Sequence, residues 1–240
     1  MSRLMLMTLL MVSVGCARPA PTPATPTPVT PAPVTPTPAA PIERPSGKGG
    51  PEEDSRTAPA TDDAEDKAAA FVEKLGGTVT RDDKATGRPV IGVQLLGTQV
   101  TDAGLKELAS LKNLTTLDLS YTKVTDAGLK ELAPLKNLTT LDLNGTQVTD
   151  AGLKELATLK NLTTLYLVGT NVTDAGLKEL APLKNLTTLH LGTQVTDAGI
   201  KELATLKNLT TLDLSFTKVT DAGIKELQMA LPKCKITAIR

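Results

Sequence analysis

The sequence NLTTLDLSYTKVTDAGLKELAPLK, from Asn113 to Lys136, is followed at once by NLTTLDLNGTQVTDAGLKELATLK, from Asn137 to Lys160. These two 24-residue units are nearly identical, and related units continue to the C-terminus. Self-similarity at a fixed period of this length is typical of a solenoid, in which each unit buries its apolar side against its neighbours. The repeat therefore predicts a stacked architecture for most of the chain.

The apolar positions within one unit predict its secondary structure. Leu117 and Leu119 are two residues apart, which places both on one face of a short strand. The last three leucines follow the three-residue spacing of a short helix, whose start Thr125 or Asp126 would cap. Each unit should therefore be a strand, a turn, a short helix and a return. The apolar set of the first complete copy is Leu114, Leu117, Leu119, Val124, Leu129, Leu132 and Leu135.

The pattern LxxLxLxxT followed by VTDAGLKEL resembles the leucine-rich repeat, in its bacterial 24-residue form with a helical side similar to that of ribonuclease-inhibitor-like repeats. The resemblance covers about Pro89 to the C-terminus, in six tandem units. It implies an α/β solenoid with a concave parallel sheet, short helices on the convex side and a cap at each end. It also implies a binding scaffold, because solenoids present extended concave surfaces to partners.

Two departures from the repeat pattern carry predictions of their own. Many family members have Asn at the end of the strand segment, where this chain has Thr98, Thr122, Thr146, Thr170, Thr193 and Thr217. A hydroxyl satisfies fewer backbone groups than an amide, which predicts a weaker hydrogen-bonded ladder under the turn. The fifth unit lacks one residue around Gly192, which predicts a tighter turn after its strand.

The N-terminal segment, residues 1–15, has the features of an export signal. Arg3 gives a positive start, and the apolar stretch from Leu4 to Val14 is shorter than the about 20 residues that span a bilayer. The sequence Ser-Val-Gly-Cys resembles a bacterial lipobox, which implies that Cys16 is lipidated and becomes the mature N-terminus. Ser13 stands where that motif expects Leu. The alternative is ordinary signal cleavage after Gly15, and both alternatives predict an exported protein.

The segments between the signal and the repeats predict a tether and a cap. Residues 16–65 are a Pro/Thr-rich tether followed by a polar linker. Polyproline II geometry, at about 3.1 Å per residue, would let residues 18–45 hold a domain up to roughly 90 Å from an anchor. Residues 66–88 read as an N-terminal cap with a helix and a strand-turn-strand, and residues 89–240 as the repeats with a terminal strand near Cys234.

Composition argues against several classes of function. The formal net charge is zero, and the chain has no Trp, two Tyr and two Phe, so no overall basic excess points to nucleic acid and stacking platforms for it are scarce. Cys16 and Cys234 lie too far apart in sequence for a disulfide framework or a metal-ligand spacing. His190 is the one histidine, and no nucleophile is evident beside it. We therefore predict no cofactor, no metal and no catalytic residue.

The middle residue of each predicted strand should point to the solvent face of the sheet. These residues lie on adjacent strands about 4.8 Å apart, so they should form one line. A second line, with Leu96, Ser120, Asn144, Val168, Gly192 and Ser215, has Tyr121 and Phe216 beside it. Two interpretations stay open: neutral variation on a solvent face, or partner recognition by Asp118, Tyr121, Asp142, Tyr166, His190 and Asp213.

The adjacent carboxylates of Asp118 and Asp142 also raise the question of a cation site or an acid–base pair. A flat strip lacks the additional oxygen ligands that Ca²⁺ requires, and no deep pocket is expected that would raise a carboxyl pKa. Neither role is therefore predicted.

Charged residues at the ends of the predicted helices follow a regular rule. Aspartates lie at the helix starts and lysines at the helix ends, where both complement the helix dipole. The lysines form a basic ridge that would offer a secondary surface for an anionic envelope polymer. The Asn-Leu-Thr sequences that begin each unit are interpreted as turns rather than glycosylation sites. The lysines are Lys112, Lys136, Lys160, Lys184 and Lys207.

These features predict an exported, lipid-anchored, non-catalytic scaffold that binds a protein or another envelope macromolecule through its concave face. Its membrane contact would be through the lipid on Cys16 alone. The alternative is a structural envelope spacer whose stacked repeats need no specific ligand.

Overall fold

A computed structural model describes residues 63–239, so the predictions for the signal segment, for Cys16 and for the tether up to residue 62 lie outside the described residues. The elements follow the chain as α1 (Asp63–Lys74), β1 (Thr78–Arg81), β2 (Val90–Gln94), α2 (Asp102–Leu108), β3 (Thr116–Asp118), α3 (Asp126–Leu129), β4 (Thr140–Asp142), α4 (Asp150–Leu156), β5 (Thr164–Tyr166), α5 (Asp174–Leu177), β6 (Thr188–His190), α6 (Asp197–Ile200), β7 (Thr211–Asp213), α7 (Asp221–Ala230) and β8 (Lys235–Thr237). Helices α3, α5 and α6 continue as 3₁₀ turns at Lys130–Leu132, Lys178–Leu180 and Lys201–Thr205.

The strands form one eight-stranded sheet in chain order. Strands β1 and β2 are antiparallel, and each later pair is parallel, with equivalent residues of successive repeats side by side. In the pair β3–β4, for example, Leu117 lies opposite Leu141. A helix or helical turn connects each parallel strand to the next. The predicted α/β leucine-rich repeat solenoid is therefore confirmed.

The inward leucines of strands and helices form one continuous core. In the unit from Asn113 to Lys136 all seven predicted apolar side chains are fully buried. Because side chains alternate along a strand, Thr116 and Asp118 remain partly exposed on the other face while Leu117 is buried between them. The sheet thus has one face against the helices and one face open to solvent, which we call the sheet face.

An aspartate at the start of each of helices α2 to α6 binds the following repeat. Asp102 Oδ1 accepts a hydrogen bond from the Thr125 backbone N–H at 2.8 Å, and its Oδ2 accepts one from the Thr125 hydroxyl at 2.7 Å. The prediction that these aspartates complement helix dipoles is therefore incomplete, because they also tie repeats together. We call this arrangement the Asp–Thr clasp; its other pairs are Asp126–Thr149, Asp150–Thr173, Asp174–Thr196 and Asp197–Thr220.

The clasp explains why helices α3 to α7 begin with Asp-Ala-Gly. A Cβ atom added to Gly128 would lie 2.5 Å from Asp102 Oδ1, and one added to Gly152 would collide with Asp126 Oδ1 in the same way. Only a glycine hydrogen fits against the carboxylate of the preceding repeat. The threonine before each of helices α3 to α7 also caps the helix; the Thr125 hydroxyl, for example, accepts a bond from the Ala127 N–H at 3.3 Å.

The asparagine that begins each unit links repeats at the opposite end of the helix. Asn137 Nδ2 donates to the Lys112 carbonyl of the preceding repeat at 2.9 Å, and Asn161, Asn185 and Asn208 repeat the contact. These asparagines lie in turns, as predicted. The ridge lysines also reach across repeats: Lys136 Nζ donates to the Thr158 carbonyl at 3.4 Å.

The prediction of a threonine ladder under the turn is wrong. Thr122 Oγ1 donates to the Leu119 carbonyl at 2.6 Å, three residues earlier in the same repeat, and Thr146 and Thr170 do the same. Each buried hydroxyl therefore closes its own turn. Backbone groups join the loops between repeats, as between Tyr121 N–H and the Asn144 carbonyl at 2.7 Å.

The fifth repeat differs because it lacks one residue. Thr193 is exposed, whereas Thr170 at the equivalent position of the preceding repeat is buried. Gly192 takes a buried place so close to that repeat that an added Cβ would lie 3.1 Å from the Leu167 carbonyl oxygen. The turn is closed by Val195 N–H donating to the Gly192 carbonyl at 3.4 Å.

The N-terminal cap covers the first parallel strand. Strand β1 pairs with the outer edge of β2, and α1 packs Val72 into the core. Arg81 on β1 forms an ion pair of 2.7 Å with Asp66 on α1. Helix α1 starts at Asp63, three residues before the predicted boundary of the cap.

The C-terminal end follows the prediction of a terminal strand, because β8 pairs in parallel with β7. Cys234 lies just before β8 and is 4% exposed. Burial raises the pKa of its thiol, which suppresses the reactive thiolate. Cys234 is thus a small buried residue, as predicted.

Candidate functional site

The last residues of strands β3 to β7 form the line that the sequence predicts. Strand register places Asp118 beside Asp142, Asp142 beside Tyr166, Tyr166 beside His190 and His190 beside Asp213. We call these five residues the sheet-face line. Five of the six predicted partner-binding residues therefore lie on adjacent strands of one face, and the sixth, Tyr121, lies in the loop after β3.

His190 is held between an aromatic ring and a carboxylate. Its ring meets that of Tyr166 edge to face, with ring centroids 4.7 Å apart and an interplanar angle of 66°. Its Nδ1 lies 3.6 Å from Asp213 Oδ2, and both side chains keep more than a quarter of their surface exposed. The three residues form a small polar and aromatic patch that solvent and a partner can reach.

The aspartates of the sheet-face line are oriented by their own loops. In each case Oδ1 accepts a hydrogen bond of 2.8 Å from the backbone N–H two residues later, at Ser120, Asn144 and Ser215. Asp118 Oδ1 also accepts one from the Ser120 hydroxyl at 2.5 Å. These short-range bonds fix the carboxylates at the carboxyl ends of their strands, so the acidic groups are preorganised for an external donor.

Asp142 is the carboxylate whose environment opposes ionisation. Burial raises its pKa, and the negative charge of Asp118 on the neighbouring strand adds to that effect. The hydrogen bond from Asn144 and the proximity of His190 act in the opposite direction without cancelling the increase. A cation from a partner at this position would relieve the cost of the charge.

Tyr121 occupies a backbone position at which other repeats carry glycine. Its φ is +55°, in the left-handed region, and Phe216 at the equivalent position has φ +61°. Gly97, Gly145 and Gly169 take the same position with φ between +65° and +73°. A side chain in this conformation costs roughly 1–2 kcal/mol. Glycine at three equivalent positions was the sequence signal for this strain. The sequence analysis named Tyr121 without using that signal.

The two strained aromatic residues are exposed, and other exposed apolar side chains lie near the ends of other strands. Tyr121 is 69% exposed and Phe216 is 64% exposed. The Tyr121 ring lies over Gly145 of the next repeat, where an added Cβ would come within 2.7 Å of the ring. Leu96, Val168 and Ile239 are also exposed, each two residues after the end of a strand. We call the resulting row the apolar rim: Leu96, Tyr121, Val168, Phe216 and Ile239.

Comparison with known proteins identifies the family. A family model described as a leucine-rich repeat region matches residues 91–239, more than half of the chain. The chain therefore belongs to the leucine-rich repeat proteins. A search of curated protein sequences gave no significant match.

Two solved structures are among those similar to this chain. An internalin (inlF) of Listeria monocytogenes is 21% identical, with a TM-score of 0.46 over 77% of this chain and 59% of the internalin chain. An internalin C2 (inlC2) of the same organism is 23% identical, with a TM-score of 0.47 over 74% of this chain and 93% of the other.

Two further observations concern residues 63–239 only. No helix there is long and apolar enough to cross a membrane. Within the same residues no group of three or more His, Cys, Asp or Glu side chains is arranged to hold a metal ion.

Proposed function

We propose that this protein is a non-catalytic scaffold that binds another protein through the sheet-face line. The observation that carries the proposal is the contrast within each repeat. Clasp and core residues are nearly the same in every unit, whereas the line changes from Asp to Tyr to His to Asp across adjacent strands. Chemical variety concentrated on one accessible surface is what a recognition surface requires.

The proposal includes export and display on a lipid anchor. The signal-like residues 1–15, the lipobox-like Cys16 and the Pro/Thr-rich residues that follow support it. Metabolic labelling with a fatty acid tests this part: the full chain should take up label, and Cys16→Ala should not. Secretion of unlabelled protein would favour ordinary signal cleavage after Gly15.

A pull-down from envelope extract tests the binding role. The full chain is compared with a variant in which Asp118, Asp142, Tyr166 and His190 are all changed to Ala. A matched control removes three convex-face charges by Glu107→Gln, Glu155→Gln and Glu202→Gln, which lie on the opposite side of the repeats. A partner retained by the native chain and the control, but lost by the line variant, supports the proposal.

Other outcomes of these experiments would contradict the proposed binding site or the non-catalytic role. Equal recovery by all three proteins would contradict the sheet-face line as the binding site and move attention to the lysine ridge. Turnover of a substrate that His190→Ala abolishes would contradict the non-catalytic assignment.

A structural spacer is the second candidate, and the Asp–Thr clasp favours it. Five successive clasps join the repeats in register, which suits a stiff stack. A spacer should tolerate substitutions on the sheet-face line but respond to the number of repeats. Deletion of one unit, residues 137–160, should impair a spacer; because it also removes Asp142 from the sheet-face line, the line substitutions remain the test of binding.

A further inference from the structure

We infer that the partner segment is an amphipathic α-helix with adjacent basic and apolar stripes. It would lie across the strands, with its basic stripe on the sheet-face line and its apolar stripe on the apolar rim. This inference rests on the proposed function and deepens it, because it assigns the chemistry of the partner.

The apolar rim supplies the first part of the argument. Among residues 63–239, six large apolar side chains are well exposed, and five of them form this rim; the sixth, Met229, lies on α7. Exposed apolar residues scattered singly are ordinary on a protein surface, but a row along one edge is typical of an interaction site.

Backbone strain supplies the second part. Tyr121 and Phe216 hold left-handed conformations although glycine, which adopts them freely, occupies this position in other repeats. Glycine at these two positions would therefore support the fold at least as well as the aromatic residues do. Strain retained at an exposed aromatic residue is typical of functional positions.

Charge complementarity supplies the third part. Asp118 and Asp213 end the strands that precede Tyr121 and Phe216, and Asp142 ends β4, the strand next to β3. On the other side of the rim, Lys123 and Lys218 follow the two aromatic residues and are exposed. The order across this edge is therefore acidic, apolar, basic. A partner that matches it carries its cationic side chains on one flank of an apolar stripe.

Spacing decides between a helix and an extended strand. Neighbouring strands lie about 4.8 Å apart, one turn of an α-helix rises about 5.4 Å, and alternate residues of an extended chain lie about 6.6 Å apart. The turns of a helix that crosses the strands therefore fall out of step with the strand spacing by about 0.6 Å per strand. The alternate residues of an extended chain fall out of step by about 1.8 Å per strand. From β2 to β8 the rim crosses six strand intervals, or about 29 Å, which a helix of about 20 residues spans.

Designed peptides test the inference directly. The probe is a fluorescent 20-residue helical peptide of Leu and Lys with adjacent stripes. One control peptide replaces Lys by Glu, and another replaces Leu by Ser. Fluorescence anisotropy with the full chain should show the Leu/Lys peptide binding at least ~10-fold more tightly than either control.

Two variants separate the apolar and acidic contributions. Tyr121→Gly with Phe216→Gly installs the residue that other repeats carry and should weaken binding about 10-fold without loss of folding. Asp118→Asn, Asp142→Asn and Asp213→Asn together should weaken it by a similar factor of about 10 and reduce its salt dependence. The convex control with Glu107→Gln, Glu155→Gln and Glu202→Gln should bind as the native chain does.

Equal affinity for the three peptides, or unchanged affinity in both variants, would overturn the inference. If these results occur while the pull-down still recovers a partner that needs the sheet-face line, the proposed function stands and only the partner chemistry is wrong. If neither experiment shows binding, both fail.

Discussion

Asp197 at a helix start and Asp142 on the sheet face have opposite electrostatic environments. Hydrogen bonds from the Thr220 hydroxyl and backbone N–H lower the pKa of Asp197 in the last clasp. On the sheet face, burial raises the pKa of Asp142. The folded chain therefore favours the charge of the clasp carboxylate and disfavours that of the sheet-face carboxylate. The charge of Asp197 thus contributes to folding, whereas the charge of Asp142 is retained at some cost to it.

The largest expected effect comes from filling the space beside a clasp. A glycine-to-alanine substitution within a helix, such as Gly152→Ala, ordinarily stabilises the helix by about 1 kcal/mol. Here the added methyl collides with Asp126 Oδ1, so we expect a net loss of about 1–3 kcal/mol in the free energy of unfolding. Urea denaturation measures it. In an Asp126→Ala background most of the Gly152→Ala penalty should disappear; a penalty of the same size there would contradict the clasp as its cause.

Acid titration should distinguish Asp197 from Asp142 by the sign of their effect on stability. The Asp197 pKa is lowered on folding, so its stabilisation is fully present above the ordinary carboxyl pKa and is lost as the pH falls through the lowered value. The Asp142 pKa is raised, so its ionisation destabilises the fold above that value, and the penalty vanishes as the pH falls through it.

Two matched variants check these signs by urea denaturation at a series of pH values. Asp197→Asn should be less stable than the native chain near neutral pH and should approach it in acid. Asp142→Asn should be as stable or more stable near neutral pH, with any advantage fading in acid. The same sign for both variants would remove the distinction between the two regions.

The smallest expected effect comes from the apolar rim. Tyr121→Gly relieves a left-handed conformation but frees the unfolded chain and removes the ring from Gly145. These contributions oppose one another, so the free energy of unfolding should change by no more than about 1 kcal/mol. Leu117→Ala, in the core of the same repeat, is the contrasting control and should cost about 2–5 kcal/mol. A comparable loss at Tyr121 would mean that the rim is structural.

Sequence alone predicts the elements that depend on periodicity. Spacing of the leucines identifies the strand, the helix and the buried face, and repetition at a constant period places Asp118, Asp142 and His190 in one line. Those predictions succeed because burial and strand register depend on position in the repeat and little on side-chain detail.

The contacts between repeats were less predictable. An aspartate at a helix start can interact equally well with the helix dipole and with a threonine of the next repeat, and only the folded structure shows that Asp102 reaches Thr125. The loss of one residue before Thr193 moved that side chain from a buried turn to the surface, which pattern matching did not anticipate. The left-handed position of Tyr121 was visible only by comparison with Gly145 and its equivalents.

The free energies of unfolding of Asp126→Ala and Asp142→Ala, measured side by side near neutral pH, test the central claim most directly. Asp126→Ala leaves the Thr149 hydroxyl and backbone N–H without their acceptor and should cost about 1–3 kcal/mol. Asp142→Ala should cost less than about 1 kcal/mol or increase stability, since it removes a charge that burial disfavours. An equal or greater loss for Asp142→Ala would show that the sheet-face line is part of the structural framework and would contradict its assignment to recognition.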